Sequence, residues 1–280
     1  MPSAQRDYLS LLLDRYWFAP PVALWRAIEL RVLAGQDFPR PILDLGCGDG
    51  LIAEALFAGE PPIEAGFDPW WDQLRRAALG GMYVGVQQAV GSAMPYRSGS
   101  FASLFSNSVL EHIPDLQPVL EEAGRVLRPG GRFLATVPSD AFHSLLSGYR
   151  RAMARGDRAA AEAYAEAVDR RLEHHRYPSP QEWAEMLASA RLKLVAARYY
   201  IPAPVAAMWD EANHRYGIGE GSLPFYRWLA SPRLRRSPHQ RLMRRLVVRT
   251  LSRRWRPLYE MDVPAGERGA GLLIVAERTG

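Results

Sequence analysis

The sequence predicts an α/β fold, a mostly parallel β-sheet covered by helices, and three observations predict it. Between residues 41 and 137, short apolar runs alternate with helical patterns, the layout of β-α-β units. The runs are apolar at consecutive positions instead of every second one, which is how strands buried on both faces read. The first run, Ile42–Leu45, passes directly into a glycine-rich turn and then a helical pattern. No internal repeat at solenoid periods is visible, and low complexity is confined to one Ala-rich stretch.

Taken in order, residues 8–34 read as amphipathic helix broken at Pro20-Pro21, with Leu9, Leu12, Leu13 and Tyr16 on one apolar stripe. Strands follow at Ile42–Leu45, Ile63–Phe67, Val84–Val90, Phe101–Ser106 and Arg132–Val137. Helical patterns over 50–58, 70–79 and 116–127 lie between them. After Pro138 the pattern lengthens into helices over 141–154 and 158–174, where Gly156 marks a break and Asp157 caps the second piece. A helix from Pro180 to Ala190 leads into a strand at Leu192–Ile201, and a last strand spans Ala270–Glu277. If those two strands pair antiparallel, the roughly 65 residues between them are an insertion in one sheet and not a separate domain.

Composition narrows the class. A chain of 280 residues with 48% hydrophobic and 23% charged positions is neither disordered, nor collagen-like, nor a disulfide scaffold. The single cysteine, Cys47, has no intrachain partner, and a reducing cytoplasm is the expected location. No apolar run approaches the ~18 residues of a membrane span. The stretch from Met1 to Asp14 lacks the features of a signal peptide. The formal charge of +5 is an average over two parts: residues 231–257 hold ten Arg and no acid, which leaves the rest of the chain at −5.

The most informative local stretch is Ile42-Leu43-Asp44-Leu45-Gly46-Cys47-Gly48-Asp49-Gly50. A buried strand carries an acidic residue and then turns through glycines, which let a backbone turn tightly and meet a ligand closely. The spacing is Gly-x-Gly-x-Gly, not the Gly-x-Gly-x-x-Gly that seats a pyrophosphate on a helix N-terminus. Asp44 and Asp49 repel a diphosphate and favour a ligand bearing a cationic amine or sulfonium. Asp68 ends the next strand, 24 residues after Asp44, where a carboxylate can accept both hydroxyls of a ribose. Pro69 and Trp70 follow and can pack on a purine.

The stretch Asp44–Gly50 together with Asp68 resembles the first two motifs of the class I S-adenosylmethionine-dependent methyltransferases. Three further stretches resemble the same family: Gly91-Ser92-Ala93-Met94-Pro95-Tyr96, Ser106-Asn107-Ser108-Val109-Leu110-Glu111-His112-Ile113, and Arg125-Val126-Leu127-Arg128-Pro129-Gly130-Gly131-Arg132-Phe133. The five motifs stand in order over residues 42–138, about a third of the chain. The resemblance implies a doubly wound, Rossmann-like seven-stranded sheet of order 3-2-1-4-5-7-6 with the last strand antiparallel. It implies one domain over 1–280: N-terminal helices over 1–40, a cofactor-binding core over 41–140, a helical cap over 141–180 and an insertion over 203–265. It also implies a cofactor, S-adenosyl-L-methionine, with S-adenosyl-L-homocysteine as product. By the same resemblance Asp44, Gly46, Cys47 and Gly48 hold the methionine moiety, Asp68 with Pro69 the ribose side, Ser92 and Ala93 the adenine edge, and Asn107 the amino-acid end. Two positions depart from the family pattern. Ser92 stands where an Asp usually accepts the adenine amino group, and Ala102 where an Asp is frequent.

Methyl transfer from a sulfonium needs positioning and desolvation first, and a general base only when the acceptor must lose a proton. His112 and His143 follow the fourth and fifth strands, where an open α/β sheet places its active residues, so both are candidate catalytic groups. For His112 the alternative is a structural helix-start element. His174 and His175, before Tyr177-Pro178-Ser179-Pro180, serve either as a cap or as a pocket lining. Two aromatic groups, Tyr16/Trp17/Phe18/Trp25 and Trp209/Phe225/Tyr226/Trp228, either cover the site or pack helices. Cys47 reads as a small packing residue. No Cys/His spacing suggests a metal, and none is expected.

The expected acceptor is a small or lipid-linked molecule. Asn107-Ser108-Val109-Leu110, which is no Asn-Pro-Pro-Tyr element, argues against amino-group methylation of DNA bases. Within the basic segment, 238–256 fits a helix with Leu242, Leu246, Val247, Leu251 and Trp255 on one side and Arg241, Arg244, Arg245, Arg249, Arg253 and Arg256 around it. Three readings stand: a helix packed on the body with a solvated Arg face, peripheral contact with an anionic membrane at its inner face, or binding of nucleic-acid phosphates. The last is disfavoured because no RNA-binding module is evident. The alternatives to a methyltransferase are a non-catalytic binding protein of the same fold, an RNA methyltransferase, or a nicotinamide-dependent oxidoreductase.

Overall fold

The apolar runs form one seven-stranded sheet of order β3-β2-β1-β4-β5-β7-β6 in a computed structural model that describes residues 6–216 and 239–280. Phe225, Tyr226, Trp228 and residues 231–238 of the basic segment lie outside the described residues. The strands are β1 Ile42–Leu45, β2 Ile63–Asp68, β3 Tyr83–Gln88, β4 Phe101–Asn107, β5 Leu127–Pro138, β6 Leu192–Tyr200 and β7 Gly271–Arg278. β1 pairs in parallel with β2 and β4, β2 with β3, and β4 with β5, while β7 runs antiparallel to β5 with Leu134 opposite Val275. The chain divides into two compact units, one of 32–140, 173–199 and 271–280, the other of 1–31, 141–172 and 200–270.

The first unit holds the sheet. All four residues of β1 and the first six of β4 are buried, as strands covered on both faces must be. Leu104, Leu120, Phe133 and Ile274 form its apolar centre, with Trp183 and Leu187 from α9 (Pro180–Ser189). That helix starts on a full capping box: the Ser179 side chain accepts from the Glu182 amide, and Glu182 reaches back to the Ser179 amide. Two expectations are corrected here. The third strand spans Tyr83–Gln88 and not 84–90, and it is mostly exposed, since as an edge strand it pairs only with β2. The fifth strand begins at Leu127, five residues early, because the Arg128–Gly131 turn loops out between Leu127, which pairs with Phe101, and Arg132, which pairs with Ser103.

The second unit is helical, with α1 Tyr8–Arg15, most of α2 Pro20–Leu33, α6 Phe142–Leu145, α7 Ser147–Ala154, α8 Arg158–Leu172, α10 Ala203–Tyr216 and α11 Gln240–Glu260. The helix expected over 141–154 is broken at Leu146, whose extended backbone separates α6 from α7. Buried Asp210 of α10 ties three helices together. Its carboxylate accepts from Ser147 Oγ at 2.8 Å, the Gly148 amide at 3.0 Å and Tyr164 Oη at 2.7 Å. Glu29, also buried, accepts from Trp25 Nε1, Arg26 and Tyr200 Oη. The aromatic residues before β1 serve packing: Trp17 sits with Phe18, Met243 and Val247, and Trp25 meets Phe142 and Trp209.

Helix α11 corrects one expectation about the basic segment. Its inward face carries Met243, Val247, Trp255 and Tyr259, whereas Leu242 and Leu246, expected on the same side as Val247 and Trp255, are 69% and 58% exposed. Arg244 pairs with Asp14, and Arg256 with Asp7 at 2.6 Å. Arg241, Arg245, Arg249, Arg253 and Arg254 face outward, without a salt bridge among the described residues.

Candidate functional site

The glycine turn after β1 is held to the end of β2. The amides of Gly46 and Cys47 both donate to the Phe67 carbonyl at 3.0 Å, and the Gly48 amide donates to Asp68 Oδ2 at 2.9 Å. Gly46 has φ +73°, and a Cβ there would lie 2.5 Å from Val109 Cγ2, so only glycine fits beneath the segment after β4. Gly48 has φ +54°, and a Cβ there would meet nothing within 4 Å. The turn therefore has one packed side and one open side, with Gly48 on the open one. The second oxygen of Asp68 accepts from the Trp70 amide at 2.8 Å. Each oxygen keeps a second lone pair for a ligand.

Burial raises the carboxyl of Asp44 to about 7, and the charge of Asp68 adds to the effect, against a 2.7 Å hydrogen bond donated by Tyr83 Oη. Tyr83 was not anticipated as a site residue. It opens β3, 39 residues from its partner, and its ring lies where a side chain on Gly66 would have to go. Burial likewise pushes the Cys47 thiol far up, and Asp44 and Asp68 reinforce it, which fits the packing role read from the sequence. Tyr96 Oη donates to the Gly66 carbonyl at 3.3 Å, and burial lifts its hydroxyl to about 12.

Ser92 and Ala93 lie exposed on a turn after β3. The turn is clasped from α5 (Gln117–Val126): Glu122 accepts from the Met94 amide at 2.7 Å, and Arg125 donates to the carbonyls of Met94 at 3.0 Å and Tyr96 at 2.7 Å. Hydrogen bonds from Arg125 hold the Glu122 carboxyl below its usual range. This clasp also escaped the sequence reading, although Arg125 opens the last of the five motifs. Pro69 is exposed and its carbonyl accepts from Gln88 Nε2 at 2.9 Å, while Trp70 beside it is exposed as well. Asn107, the last residue of β4, donates from Nδ2 to Thr136 Oγ1 at 2.5 Å.

The two catalytic candidates have different surroundings. His112 ends a single 3-10 turn, Leu110–His112, and its Nδ1 lies 3.0 Å from the Glu173 carbonyl. A carbonyl only accepts, so Nδ1 carries the proton and Nε2 the lone pair. His174 stands beside it, with ring centroids 5.1 Å apart. His143 belongs to the helical unit, where its Nε2 lies 2.7 Å from Asp169 Oδ1. Donation to that carboxylate fixes the tautomer and leaves the basic lone pair on Nδ1. Asp44, Gly46, Cys47, Gly48, Asp68, Pro69, Ser92, Ala93, Asn107 and His112 thus share the sheet unit, and His143 does not.

Comparison with known proteins agrees with this geometry. Residues 43–135 match the family model described as a methyltransferase domain. The chain is 32% identical over 103 residues to the ubiquinone biosynthesis O-methyltransferase of Escherichia coli, covering 35% of this chain and 42% of the relative. It spans about two fifths of the length of the curated relatives it matches. Among solved structures it resembles geranyl diphosphate C-methyltransferase from Streptomyces coelicolor A3(2), crystallised with Mg2+, geranyl diphosphate and S-adenosyl-L-homocysteine, with TM-score 0.55, 14% identity, and coverage of 100% of this chain and 86% of that one. It also resembles a putative sarcosine dimethylglycine methyltransferase from Galdieria sulphuraria, with TM-score 0.54, 17% identity, and coverage of 91% and 84%. At such identities the likeness is one of fold. No helix of the described residues is long and apolar enough to cross a membrane. Residues 43–135 thus match a methyltransferase domain model, and they lie in a sheet with the strand order of the class I methyltransferase fold.

Proposed function

We propose that the protein transfers a methyl group from S-adenosyl-L-methionine to a small-molecule or lipid-linked acceptor and releases S-adenosyl-L-homocysteine. One observation carries this reading: two buried carboxylates, Asp44 and Asp68, on adjacent strands beside a glycine turn whose Gly48 leaves open space. Such a site suits a cationic ligand with a ribose and disfavours a diphosphate. Asp44 and the backbone of Gly46, Cys47 and Gly48 hold the methionine end, and Asp68 the ribose hydroxyls. Pro69, Ser92 and Ala93 flank the adenine, and Asn107 the amino-acid end. Bound there, the cofactor supplies an activated methyl on sulfur. The name of the Escherichia coli relative supports an oxygen of a small molecule as acceptor.

Calorimetric titration tests the reading. S-adenosylhomocysteine is expected to bind and NAD not to, and Asp68→Ala is expected to weaken the former about tenfold, the worth of a charge-assisted hydrogen bond. Preference for NAD, or unchanged affinity in the variant, refutes it.

A second observation favours peripheral contact with an anionic membrane. Successive turns of α11 present Arg241-Leu242, Arg245-Leu246, Arg249 and Arg253 outward, a basic face with apolar residues at its centre. The protein is expected to float with phosphatidylglycerol vesicles and not with phosphatidylcholine, in a salt-sensitive way. Removing Arg249 is expected to reduce partitioning about fivefold, given ~1 kcal/mol per basic residue at such a surface. Absence of binding to anionic vesicles at low salt rejects the membrane contact.

A further inference from the structure

We infer that Glu111, His112 and His174 form a three-donor site for a divalent first-row transition cation, zinc foremost. One donor atom from each lies within 4.8 Å of the other two. The sequence expectation of no metal rested on the lack of a local Cys/His spacing. These donors come instead from segments 62 residues apart, between His112 and His174, that the fold stitches together. Three hydrogen bonds do the stitching: the His175 amide donates to the Glu111 carbonyl at 2.9 Å, His112 Nδ1 to the Glu173 carbonyl at 3.0 Å, and Arg176 to the Pro114 carbonyl. Glu173 takes a left-handed φ of +57° to turn the chain away from α8 at this point.

The donor chemistry suits a cation. A ligating histidine characteristically donates its other ring N–H to a carbonyl, and His112 does so, which aims Nε2 away from the backbone. His174 Nδ1 lies 3.0 Å from Tyr177 Oη, and in the tautomer in which Nδ1 donates to that oxygen the lone pair is on Nε2. Glu111 is 3% exposed, and its Oε1 lies 4.0 Å from His112 Nε2. Two imidazoles and one carboxylate, with no thiolate, are a zinc, iron or manganese set and not a calcium one. Metal–ligand distances of about 2.1 Å put donors roughly 3.4 Å apart, so a bound cation would draw these three together from within 4.8 Å. The pair Glu111-His112 stands two residues beyond Val109, whose side chain covers Gly46 of the glycine turn. On the methyl-transfer reading proposed above, and resting on it, a fourth coordination position would hold an oxygen of the acceptor. The cation site itself needs no part of that reading.

The test uses the tag-free full chain, stripped with EDTA and titrated with Co2+ and then Zn2+. One Co2+ per chain is expected, with visible d–d absorption that Zn2+ abolishes. Against a chromophoric chelator, His174→Ala and His112→Asn are each expected to weaken Zn2+ binding at least tenfold with far-UV circular dichroism unchanged. Absence of stoichiometric Co2+ binding, or parental Zn2+ affinity in both folded variants, overturns the site. Because the readout is metal occupancy, its failure leaves the cofactor titration untouched, and the converse holds.

Discussion

Replacing Asp210 by Ala is expected to lower the unfolding free energy by about 3–5 kcal/mol. The carboxylate is wholly buried and accepts from a hydroxyl and an amide of α7 and from the Tyr164 hydroxyl of α8. Alanine leaves the buried Ser147 hydroxyl, and with it the half-buried Gly148 amide and Tyr164 hydroxyl, without their shared acceptor. Gly148 cannot compensate by filling the space, since a Cβ there would lie 2.2 Å from the Tyr164 ring. Asp210→Asn is expected to cost far less, about 1 kcal/mol, because the amide oxygen serves Ser147 and Gly148 while the NH2 donates to the Tyr164 oxygen. Urea unfolding of both variants checks this. An Ala variant within 1 kcal/mol of the parent, or an Asn variant as damaged as Ala, would show that the carboxylate does not hold these helices.

Cofactor affinity is expected to fall toward tenfold per unit as pH drops below about 7 and to be flat above it. Burial has raised Asp44 to about 7 in the folded chain, against an ordinary 3.8. A cationic ligand binds the ionised carboxylate, so below pH 7 binding must first expel a proton. The effect on stability has the opposite sense. The folded chain binds more protons than the unfolded one between about pH 4 and 7, so Asp44 contributes stability at low pH that is lost as pH rises through 7. Calorimetry of S-adenosylhomocysteine in buffers of different ionisation enthalpy reads the released proton directly. Affinity that does not change between pH 5.5 and 8 would sink the assignment, and Asp44→Asn should flatten the profile.

The sheet was legible in the sequence because its signals are local. A run such as Ile42–Leu45 has no exposed face to interrupt it, and each glycine turn lies next to the strand it ends. The ends of β4 and β7 fall within a residue of expectation for that reason. Asp44, Gly46 and Asp68 could be named because their meaning depends on neighbours along the chain. Tyr83, Asp210 and the Glu111/His174 pairing could not, because each acquires its role from a partner 39 to 63 residues away. The single apolar side drawn for α11, with Leu242 and Leu246 beside Val247 and Trp255, divides in the structure for a related reason. Apolar spacing places them on one stripe, but the packing of Met243 and Val247 on Trp17, and the burial of Trp255 and Tyr259, decide which stripe turns inward.

The position of β7 bears on biosynthesis. It lies between β5 and β6 in the sheet, yet its residues follow both strands in the chain, beyond about seventy intervening residues of the helical unit. A nascent chain emerging N-terminus first therefore carries two apolar strands with unpaired edges, β5 and β6, while that whole stretch is translated. Closure of the sheet is a late, long-range event, and the interval before it is when the polypeptide most needs a chaperone.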